Sequence, residues 1–277
     1  MTPMNRSFEE RRTDSLDGLR QLRRELLPDP EAGVAHTEKA WGATGSFTVD
    51  FVLADIWSRP QLSRRDRSMI VLATLIALGQ TGKEMVVHTQ GAIHHGMTRE
   101  EVEELVTHVS AYVGFPKTLG AIRIVQDGLR SFEESGKLPP HKPAARKSDD
   151  ERYNDGLDVL STLMGWSDPA TEAPKLEERL GPLGPLSIRY LFGEVWARTE
   201  LSRRDRSLIT VTILAALGRT DQMSTHVPGA LNHGVTREEI EEVMVQMLGY
   251  AGWPAAVAGI AKAREIFAAI DAKNGGD

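Results

Sequence analysis

The sequence predicts an all-α fold in which one helical domain occurs twice in tandem. Three observations lead to this prediction. Leu62–Ser68 recurs letter for letter as Leu201–Ser207, and long-range self-similarity of this kind marks a duplicated structural unit. Helix caps and glycine stops occur in the same order in both copies. No segment alternates between apolar and polar residues as a half-buried strand does.

The repeat extends well beyond this motif. It includes Trp57 with Trp196, the stretch up to Gly79 with that up to Gly218, His88–Glu101 with His226–Glu239, and Tyr112–Pro116 with Tyr250–Pro254. Between the copies, residues 137–150 are rich in proline and charge, which predicts an extended linker. The predicted organisation is therefore a first copy over 1–136, a linker over 137–150 and a second copy over 151–277.

Local signals predict four consecutive helices in each copy. Ser63 precedes Asp66 by three residues and Thr98 precedes Glu101 by three, the spacing of helix N-caps. Met69–Leu78 is apolar on almost every face, and its cap, glycine stop and length favour a buried helix over a strand. The predicted helices span 64–78, 83–94, 99–112 and 116–135, then 203–217, 221–232, 237–250 and 254–272.

Composition excludes several classes of function. The 277 residues include no cysteine, which excludes disulfides, thiolate metal sites, thiol peroxidases and cysteine nucleophiles. The net charge of −6 argues against nucleic acid as a partner, because binding to phosphate needs a basic surface. Residues 1–27 hold no apolar run typical of a secretory signal or membrane anchor. We therefore expect a cytoplasmic protein with no membrane partner.

Histidines are the first candidates for chemistry, since their usual pKa lies near neutrality. His88 precedes His95 by seven residues, about two helical turns, and His226 and His233 repeat the pair. His95 and His233 are either substrate-binding residues or helix-end residues stabilised by the dipole. A metal site with His94 is disfavoured, because adjacent helical residues diverge by about 100°. We therefore expect no metal.

Glu84 lies one helical turn before His88, which is the spacing for a carboxylate that orients an imidazole. The alternative is a surface pair of little energetic weight. The second copy carries Gln222 at this position, so the two copies are expected to differ chemically. If Glu84 orients His88, the first copy is the preferred active one.

Two arginines occupy an unusual place for a cation. Arg67 and Arg206 lie in the first turn of otherwise apolar helices, where the helix dipole disfavours positive charge. One interpretation is bidentate binding of a substrate carboxylate. The other is a buried ion pair with an acid such as Asp55 or Glu194.

Tyr112 and Tyr250 are each followed by glycine and then by an aromatic residue and proline. They end predicted helices, so each phenol either points into a cleft or packs in the core with its hydroxyl hydrogen-bonded.

Taken in order, these motifs resemble the carboxymuconolactone decarboxylase family. The second copy carries the resemblance through Phe192–Trp196, Leu201–Leu208, Ala216–Gly218, His226–Ala230, Asn232–Glu242 and Tyr250–Pro254, and the first copy repeats the order. The resemblance covers residues 50–135 and 189–270. No single motif is specific, but six in the same order, twice, are specific for the family.

The resemblance implies a domain of about six helices, similar to the AhpD-like alkylhydroperoxidases, in which paired domains interlock. The peroxidases use two cysteines, and those positions fall on Thr81 and Glu84 in the first copy and on Arg219 and Gln222 in the second. A thiol peroxidase is therefore excluded. The resemblance instead implies a lyase without cofactor, whose namesake decarboxylates 4-carboxymuconolactone in aromatic compound catabolism.

The resemblance also suggests roles for the candidate residues. We expect Arg67 and Arg206 to bind a carboxylate or an enolate oxygen, with His88 and His226 as acid or electrophile and Glu84 tuning His88. The expected substrate-binding residues are Tyr112 and Tyr250 as hydrogen-bond donors, His95 and His233, and the apolar walls Trp57, Trp196, Phe115 and Trp253.

The leading hypothesis is a decarboxylase acting on a carboxylated lactone or a β-keto-type acid. Two alternatives stay open: an isomerase or cyclase acting on an oxygenated ring compound, and a non-catalytic paralogue that serves only in assembly. The expected partners are a small carboxylic acid or lactone and further copies of the chain. Because the duplication makes an internal pseudo-dimer, a trimer of two-domain chains would reproduce six domains.

Overall fold

A computed structural model describes residues 6–23 and 27–275, and within these ranges it contains helices and no strand. None of the helices in this part of the chain is long and apolar enough to cross a membrane. The first copy comprises α1 (Phe8–Arg23), α2 (Pro30–Trp41), α3 (Ala43–Phe47), a π-helical segment (Thr48–Ile56), α4 (Arg64–Ala77), α5 (Lys83–His94), α6 (Arg99–Val113) and α7 (Phe115–Glu134). The all-α prediction is confirmed.

The second copy repeats this order after residues 137–148, which form no helix. It comprises α8 (Asp149–Met164), α9 (Pro169–Leu180), α10 (Leu183–Leu186), a second π-helical segment (Ser187–Trp196), α11 (Arg203–Ala216), α12 (Thr220–Asn232), α13 (Arg237–Ala251) and α14 (Trp253–Asn274). The sequence repeat therefore corresponds to two copies of the same arrangement of helices.

The eight predicted helices correspond to α4–α7 and α11–α14, with ends that differ by two residues at most. Their caps form as the spacing predicts: the hydroxyl of Ser63 accepts from the Asp66 amide at 3.0 Å, and Thr98 and Glu101 form a reciprocal capping box. The helices before α4 and before α11 were not predicted. Much of their surface is charged or exposed, so their apolar periodicity is weak.

The two π-helical segments place the tryptophans. The Trp57 amide donates to the Val52 carbonyl at 3.1 Å, and the Ala197 amide donates to the Phe192 carbonyl at 2.9 Å, five residues back in both cases. Such wide turns occur frequently at functional sites. Trp57 and Trp196 lie at the ends of these two segments, and their side chains point into the interior, where they are 4% and 1% exposed.

The two copies share one hydrophobic core. Helices α4 and α11 are buried along most of their length, and α4 packs against α11 and α13 of the other copy. One continuous cluster of buried side chains includes residues of both copies, while a smaller cluster joins α8, α9 and the second π-helical segment. Because the copies interlock, any pocket at their junction takes residues from both.

The motif repeated letter for letter forms this junction. Arg65 of α4 donates to Asp205 of α11 at 2.9 Å, and Arg204 donates to Asp66 at 3.1 Å. The two arginines also pair with Glu101 and Glu239, respectively. The motif is therefore a cross-copy ion network, and its strict repetition follows from the pseudo-twofold contact.

Candidate active site

Two clusters of aromatic rings lie where the copies meet. In the first, which we call the first site, Trp57 stacks on His88 with ring centroids 6.2 Å apart. The Tyr250 ring of the other copy lies 5.2 Å from the His88 ring, edge to face. The Trp57 indole N–H donates to the Tyr250 hydroxyl at 3.0 Å. The phenol is thus fixed against the imidazole by a residue from the opposite copy.

The second site repeats this arrangement with the copies exchanged. Trp196 stacks on His226 at 6.2 Å, and the Tyr112 ring lies 6.0 Å from the His226 ring. The Trp196 indole N–H donates to the Tyr112 hydroxyl at 2.8 Å. The structure therefore brings together the predicted tryptophan, histidine and tyrosine of each copy, but each tyrosine serves the histidine of the other copy.

His95 and His233 lie on the flank of the tryptophans. The His95 ring is 5.6 Å from Trp57 and its Nδ1 is 2.8 Å from the Ser68 hydroxyl. The His233 ring is 6.0 Å from Trp196 and its Nδ1 is 2.8 Å from the Ser207 hydroxyl. These histidines hold the indole rings in place.

Burial sets the protonation of the two sites. It lowers the pKa of His88 to about 4, helped by His95, and it lowers the pKa of His226 to about 4. Burial also raises the pKa of the Tyr112 phenol to about 12. At neutral pH both imidazoles are therefore uncharged and the phenol keeps its proton. Within the described ranges, Nδ1 of His88 and of His226 is buried without a hydrogen bond.

These values correct one predicted role. An imidazole with a pKa of about 4 carries no positive charge at neutral pH, so His88 and His226 are poor general acids. The other role predicted for them, that of an electrophile, is compatible with an uncharged imidazole, which can still donate one hydrogen bond.

The role predicted for Arg67 as a ligand of substrate is wrong. Its side chain is fully buried and donates to Glu242 at 2.8 Å, to Gln246 Oε1 at 2.7 Å and to the Arg59 carbonyl at 2.6 Å. The alternative, a buried ion pair, is correct in kind, but the partner is Glu242 of the other copy. Asp55 pairs instead with two arginines near the N-terminus.

Arg206 is engaged in the same way. It pairs with Glu104 at 2.8 Å, donates to the Arg198 carbonyl at 2.8 Å and lies 3.2 Å from Nδ1 of His108. Glu194, the other suggested partner, pairs with Arg152. Both arginines therefore hold the two copies together across the junction, and neither is available to a substrate.

Glu84 does not support His88. Its side chain is exposed at the start of α5, and its carboxylate occupies the space that a Cβ at Gly82 would fill. Among the hydrogen bonds and ion pairs of the described residues, none joins it to His88. The preference for the first copy as the active one therefore loses its basis.

Phe115 and Trp253 are not walls of these sites within one chain. They are 70% and 59% exposed, because each stands at the first position of the helix that follows a left-handed glycine, Gly114 or Gly252. The positive φ of these glycines turns the chain sharply after the tyrosines. Trp57 and Trp196, in contrast, are buried against the histidines of the two sites, and their role as walls of a substrate pocket stays a prediction.

A cavity of about 390 Å³ opens beside the second site. It is lined by Tyr112, Val113, Lys117, Ile213, Leu214, Leu217, Arg219 and Gln222. Gln222 lies one helical turn before His226, so the cavity adjoins the cluster of rings. Sequence reasoning missed Lys117 altogether and noted Arg219 only as the position of an absent cysteine.

A buried histidine also distinguishes the second site. His108 is fully buried, and its Nε2 lies 2.9 Å from the Thr210 hydroxyl. Because Nδ1 accepts from Arg206, Nε2 carries the proton and donates to Thr210. A hydrogen bond from Thr210 to the Tyr112 phenol lowers the pKa of Tyr112 and partly offsets its burial. A polar chain thus runs from the junction to the phenol.

The described residues contain no group of three or more histidines and acids positioned to hold a metal ion. The sites consist instead of rings, hydroxyls and hydrogen-bonded ion pairs.

The fold and the sites define a class: a duplicated helical protein without cysteine, whose paired His–Tyr–Trp clusters form across an internal pseudo-dimer. The sequence model of the carboxymuconolactone decarboxylase family matches residues 43–127 and 185–265, more than half of the chain. The chain belongs to this family.

Individual relatives resemble parts of the chain. A 4-carboxymuconolactone decarboxylase of Acinetobacter baylyi is 35% identical over 120 residues, 43% of this chain and 90% of the relative. The nitrosuccinic acid decarboxylase npaB of Metarhizium robertsii is 33% identical over 102 residues, 36% of this chain and 62% of the relative. Peroxisomal protein 2 of Schizosaccharomyces pombe is 24% identical over 163 residues, 57% of this chain and 70% of the relative.

Proposed function

We propose that this protein is a decarboxylase that acts on a carboxylated lactone or a β-keto-type acid without a metal or organic cofactor. Membership of the family and the names of two relatives, both decarboxylases of carboxylic acids, support the reaction type. The observation that carries the proposal is the second site, where an uncharged imidazole and a protonated phenol stand beside a cavity.

The reaction needs stabilisation of a developing negative charge. When the bond to the carboxylate carbon breaks, CO₂ leaves and its bonding electrons pass through the neighbouring unsaturation to a carbonyl oxygen. Hydrogen-bond donors aimed at that oxygen lower the barrier. In our proposal the Tyr112 phenol and the His226 imidazole supply these donors, and the enolate carbon then takes a proton from the phenol, which solvent restores.

The walls of the cavity favour loss of CO₂. Val113, Ile213, Leu214 and Leu217 form its apolar part. A carboxylate facing these side chains loses the hydration that stabilises it in water, while the neutral CO₂ and the delocalised enolate lose less. The buried Trp196 closes the site behind His226.

The test is CO₂ release by the full chain, measured with 4-carboxymuconolactone and with a series of β-keto acids. Enzymatic CO₂ release from one of these acids supports the proposal. Consumption of an acid without CO₂ release would overturn it in favour of an isomerase or cyclase. No turnover of any acid would overturn it in favour of a paralogue that serves only in assembly.

We also propose that the chain forms a homo-oligomer, with a trimer as the arrangement that reproduces six domains. Exposed apolar side chains recur at matching positions of the two copies: Phe47 with Leu186, Phe115 with Trp253, and Leu119 with Val257. Repeated exposed apolar groups are typical of interaction surfaces. Light scattering that gives the mass of a single chain would contradict this proposal.

A further inference from the structure

The hydrogen bonds behind the Tyr112 phenol have a fixed direction. Arg206 can only donate, so Nδ1 of His108, 3.2 Å away, accepts from it. The imidazole proton is therefore on Nε2, which donates to the Thr210 hydroxyl at 2.9 Å. His108 and Thr210 are fully buried and do not line the cavity beside the second site. Neither side chain therefore contacts a ligand in that cavity.

The Thr210 hydroxyl continues the chain. It carries one proton, and a buried O–H without an acceptor is costly. Thr212 gives its proton to the Leu208 carbonyl one turn back. Among the bonds of the described residues Thr210 makes no such contact, and its partners are His108 and Tyr112. Because His108 is a donor, Thr210 gives its own proton to the phenol oxygen.

The phenol oxygen of Tyr112 is thereby occupied as an acceptor. It accepts from the Trp196 indole N–H at 2.8 Å and from the Thr210 hydroxyl. Two donors fill the lone pairs of a hydroxyl oxygen, so its own proton cannot turn toward the junction. The Tyr112 O–H therefore points away from both donors and is left for a ligand in the cavity that Tyr112 lines.

The first site lacks this chain. Gln246 stands at the position of His108 and Val71 at that of Thr210. Gln246 Oε1 accepts from Arg67 at 2.7 Å, but its Nε2 is buried without a hydrogen bond among the described residues. The amide donor is present, and the hydroxyl that would receive its proton is not.

The Tyr250 phenol is less constrained as a result. It accepts from the Trp57 indole N–H at 3.0 Å, and within residues 6–23 and 27–275 no second side chain donates to it. One lone pair stays open, so the hydroxyl proton of Tyr250 has more than one direction available.

We propose that His108 is a positioning residue of the second site, which acts through Thr210 to turn the Tyr112 proton outward, and that Gln246 and Val71 deprive the first site of this control. The inference rests on the proposed function only in naming an enolate oxygen as the group that receives the proton. The direction of the hydroxyls is independent of turnover.

The test is the ionisation of the phenols in the full chain labelled with fluorotyrosine, followed by fluorine NMR as the pH rises. Tyr112→Phe and Tyr250→Phe assign the two signals. Thr210→Val should make Tyr112 about tenfold less acidic, because the phenolate loses one hydrogen bond. Thr210→Ser keeps the hydroxyl and should leave Tyr112 nearly unchanged. Arg206, whose charge also lowers the pKa of Tyr112, is present in both variants.

The sign of the change tests the direction of the bond. If Tyr112 donated to Thr210 instead, the bond would stabilise the protonated phenol, and Thr210→Val would make Tyr112 more acidic. A more acidic or unchanged Tyr112 would overturn the inference, as would an equal loss of acidity in Thr210→Ser.

Val71→Thr should supply the missing link in the first site. The new hydroxyl accepts from the Gln246 amide and donates to Tyr250, so Tyr250 should become about tenfold more acidic. The variant should unfold at no lower urea concentration than the wild type, because a buried donor gains an acceptor. Val211→Thr also places a hydroxyl at a buried position and, as the matched control, should unfold at a lower concentration. A Tyr250 of unchanged acidity would overturn the roles given to Val71 and Gln246.

The two proposals fail separately. If Thr210→Val weakens the acidity of Tyr112 as expected but the CO₂ assay finds no decarboxylation, the proposed function fails while the positioning role stands. If the chain decarboxylates an acid but Thr210→Val leaves the ionisation of Tyr112 unchanged, the positioning role fails while the proposed function stands.

Discussion

The first and second sites share their clusters of rings and differ on both sides of them. Each stacks a tryptophan on a histidine and adds a tyrosine from the other copy. Behind Tyr112 the second site has His108 and Thr210, where the first site has Gln246 and Val71. In front of the rings the second site carries two cations that form no ion pair within the described ranges. The rings themselves are therefore the same in the two sites, whereas the residues behind and in front of them differ.

The phenols show the chemical result of this divergence. Burial raises the pKa of both tyrosines, but Tyr112 accepts hydrogen bonds from Trp196 and Thr210 while Tyr250 accepts one from Trp57. The better-bonded phenol is the stronger acid and the better donor to an enolate. This difference favours the second site as the reactive one, and four experiments break or sharpen the comparison.

The largest loss of stability is expected from changes to the buried arginines, which both copies share. Arg67→Met leaves Glu242 buried with Arg59 as its remaining partner, and Arg206→Met does the same to Glu104 and Arg198. Removing one partner of a buried ion pair costs about 3–5 kcal/mol, so each variant should lose stability of this order in urea unfolding. A variant of wild-type stability that has lost only substrate affinity would restore the ligand role of these arginines.

The next largest effect is a loss of kcat that should differ between the two sites. Tyr112→Phe removes the donor at the second site, and loss of one such donor lowers kcat by about 10²–10³. Tyr250→Phe makes the same change at the first site and should have a far smaller effect on the same assay. Because each variant deletes one hydroxyl from an equivalent position, each controls for the other. Equal losses of kcat would mean that both sites react.

A smaller loss of kcat is expected when His108 and Thr210 of the second site are replaced by the residues that stand at these positions in the first site. His108→Gln with Thr210→Val removes the support of the Tyr112 phenol but keeps the cations at the entrance. We expect kcat to fall about tenfold, as for loss of one buried hydrogen bond to a reacting group, with KM nearly unchanged. A rise in KM at constant kcat would show that these residues act on binding instead.

The smallest difference between the sites is expected in their response to acid. The pKa of His88, His226 and His233 is about 4 in the folded chain, below the usual 6.5. Between these values the unfolded chain binds more protons, so the stability from the neutral imidazoles is complete above about pH 6.5 and falls as the pH drops toward about 4.

Thermal unfolding measured across this range should show that fall. His88→Gln and His226→Gln should each make it shallower by a similar amount, while exchange of the exposed His36 for Gln should not. A midpoint that stays constant from about pH 7 to about pH 4.5 would contradict the assigned neutral imidazoles.

The sequence predicted α4–α7 and α11–α14 because their caps and apolar runs are local signals. It also identified the tryptophan, histidine and tyrosine of each site, since these residues repeat at fixed spacing. The exchange of Tyr112 and Tyr250 between copies was beyond such reasoning, because it depends on how α6 and α13 cross the junction. The true partners of Arg67 and Arg206 were missed for the same reason: Glu242 and Glu104 are distant in sequence.

Lys117 and Arg219 were missed as a pair because they belong to different copies and meet only at the cavity. The one available signal was the loss of symmetry between copies, Lys117 against Ala255 and Arg219 against Thr81. The strict repetition of Leu62–Ser68 reflects the ion network of the junction. The failure to repeat at positions 117 and 219 coincides with residues that line the cavity.

The exchange of tyrosines across the junction determines which site a single mutation affects. In an assembly of identical single-copy chains, one codon change alters every site at once, so a harmful change leaves no intact site behind. In this chain a codon change at Tyr112 or Lys117 alters the second site and leaves the first unchanged, although both residues belong to the first copy. Each copy therefore encodes the tyrosine of the site whose tryptophan and histidine belong to the other copy. Selection for the reaction of one site consequently acts on both copies.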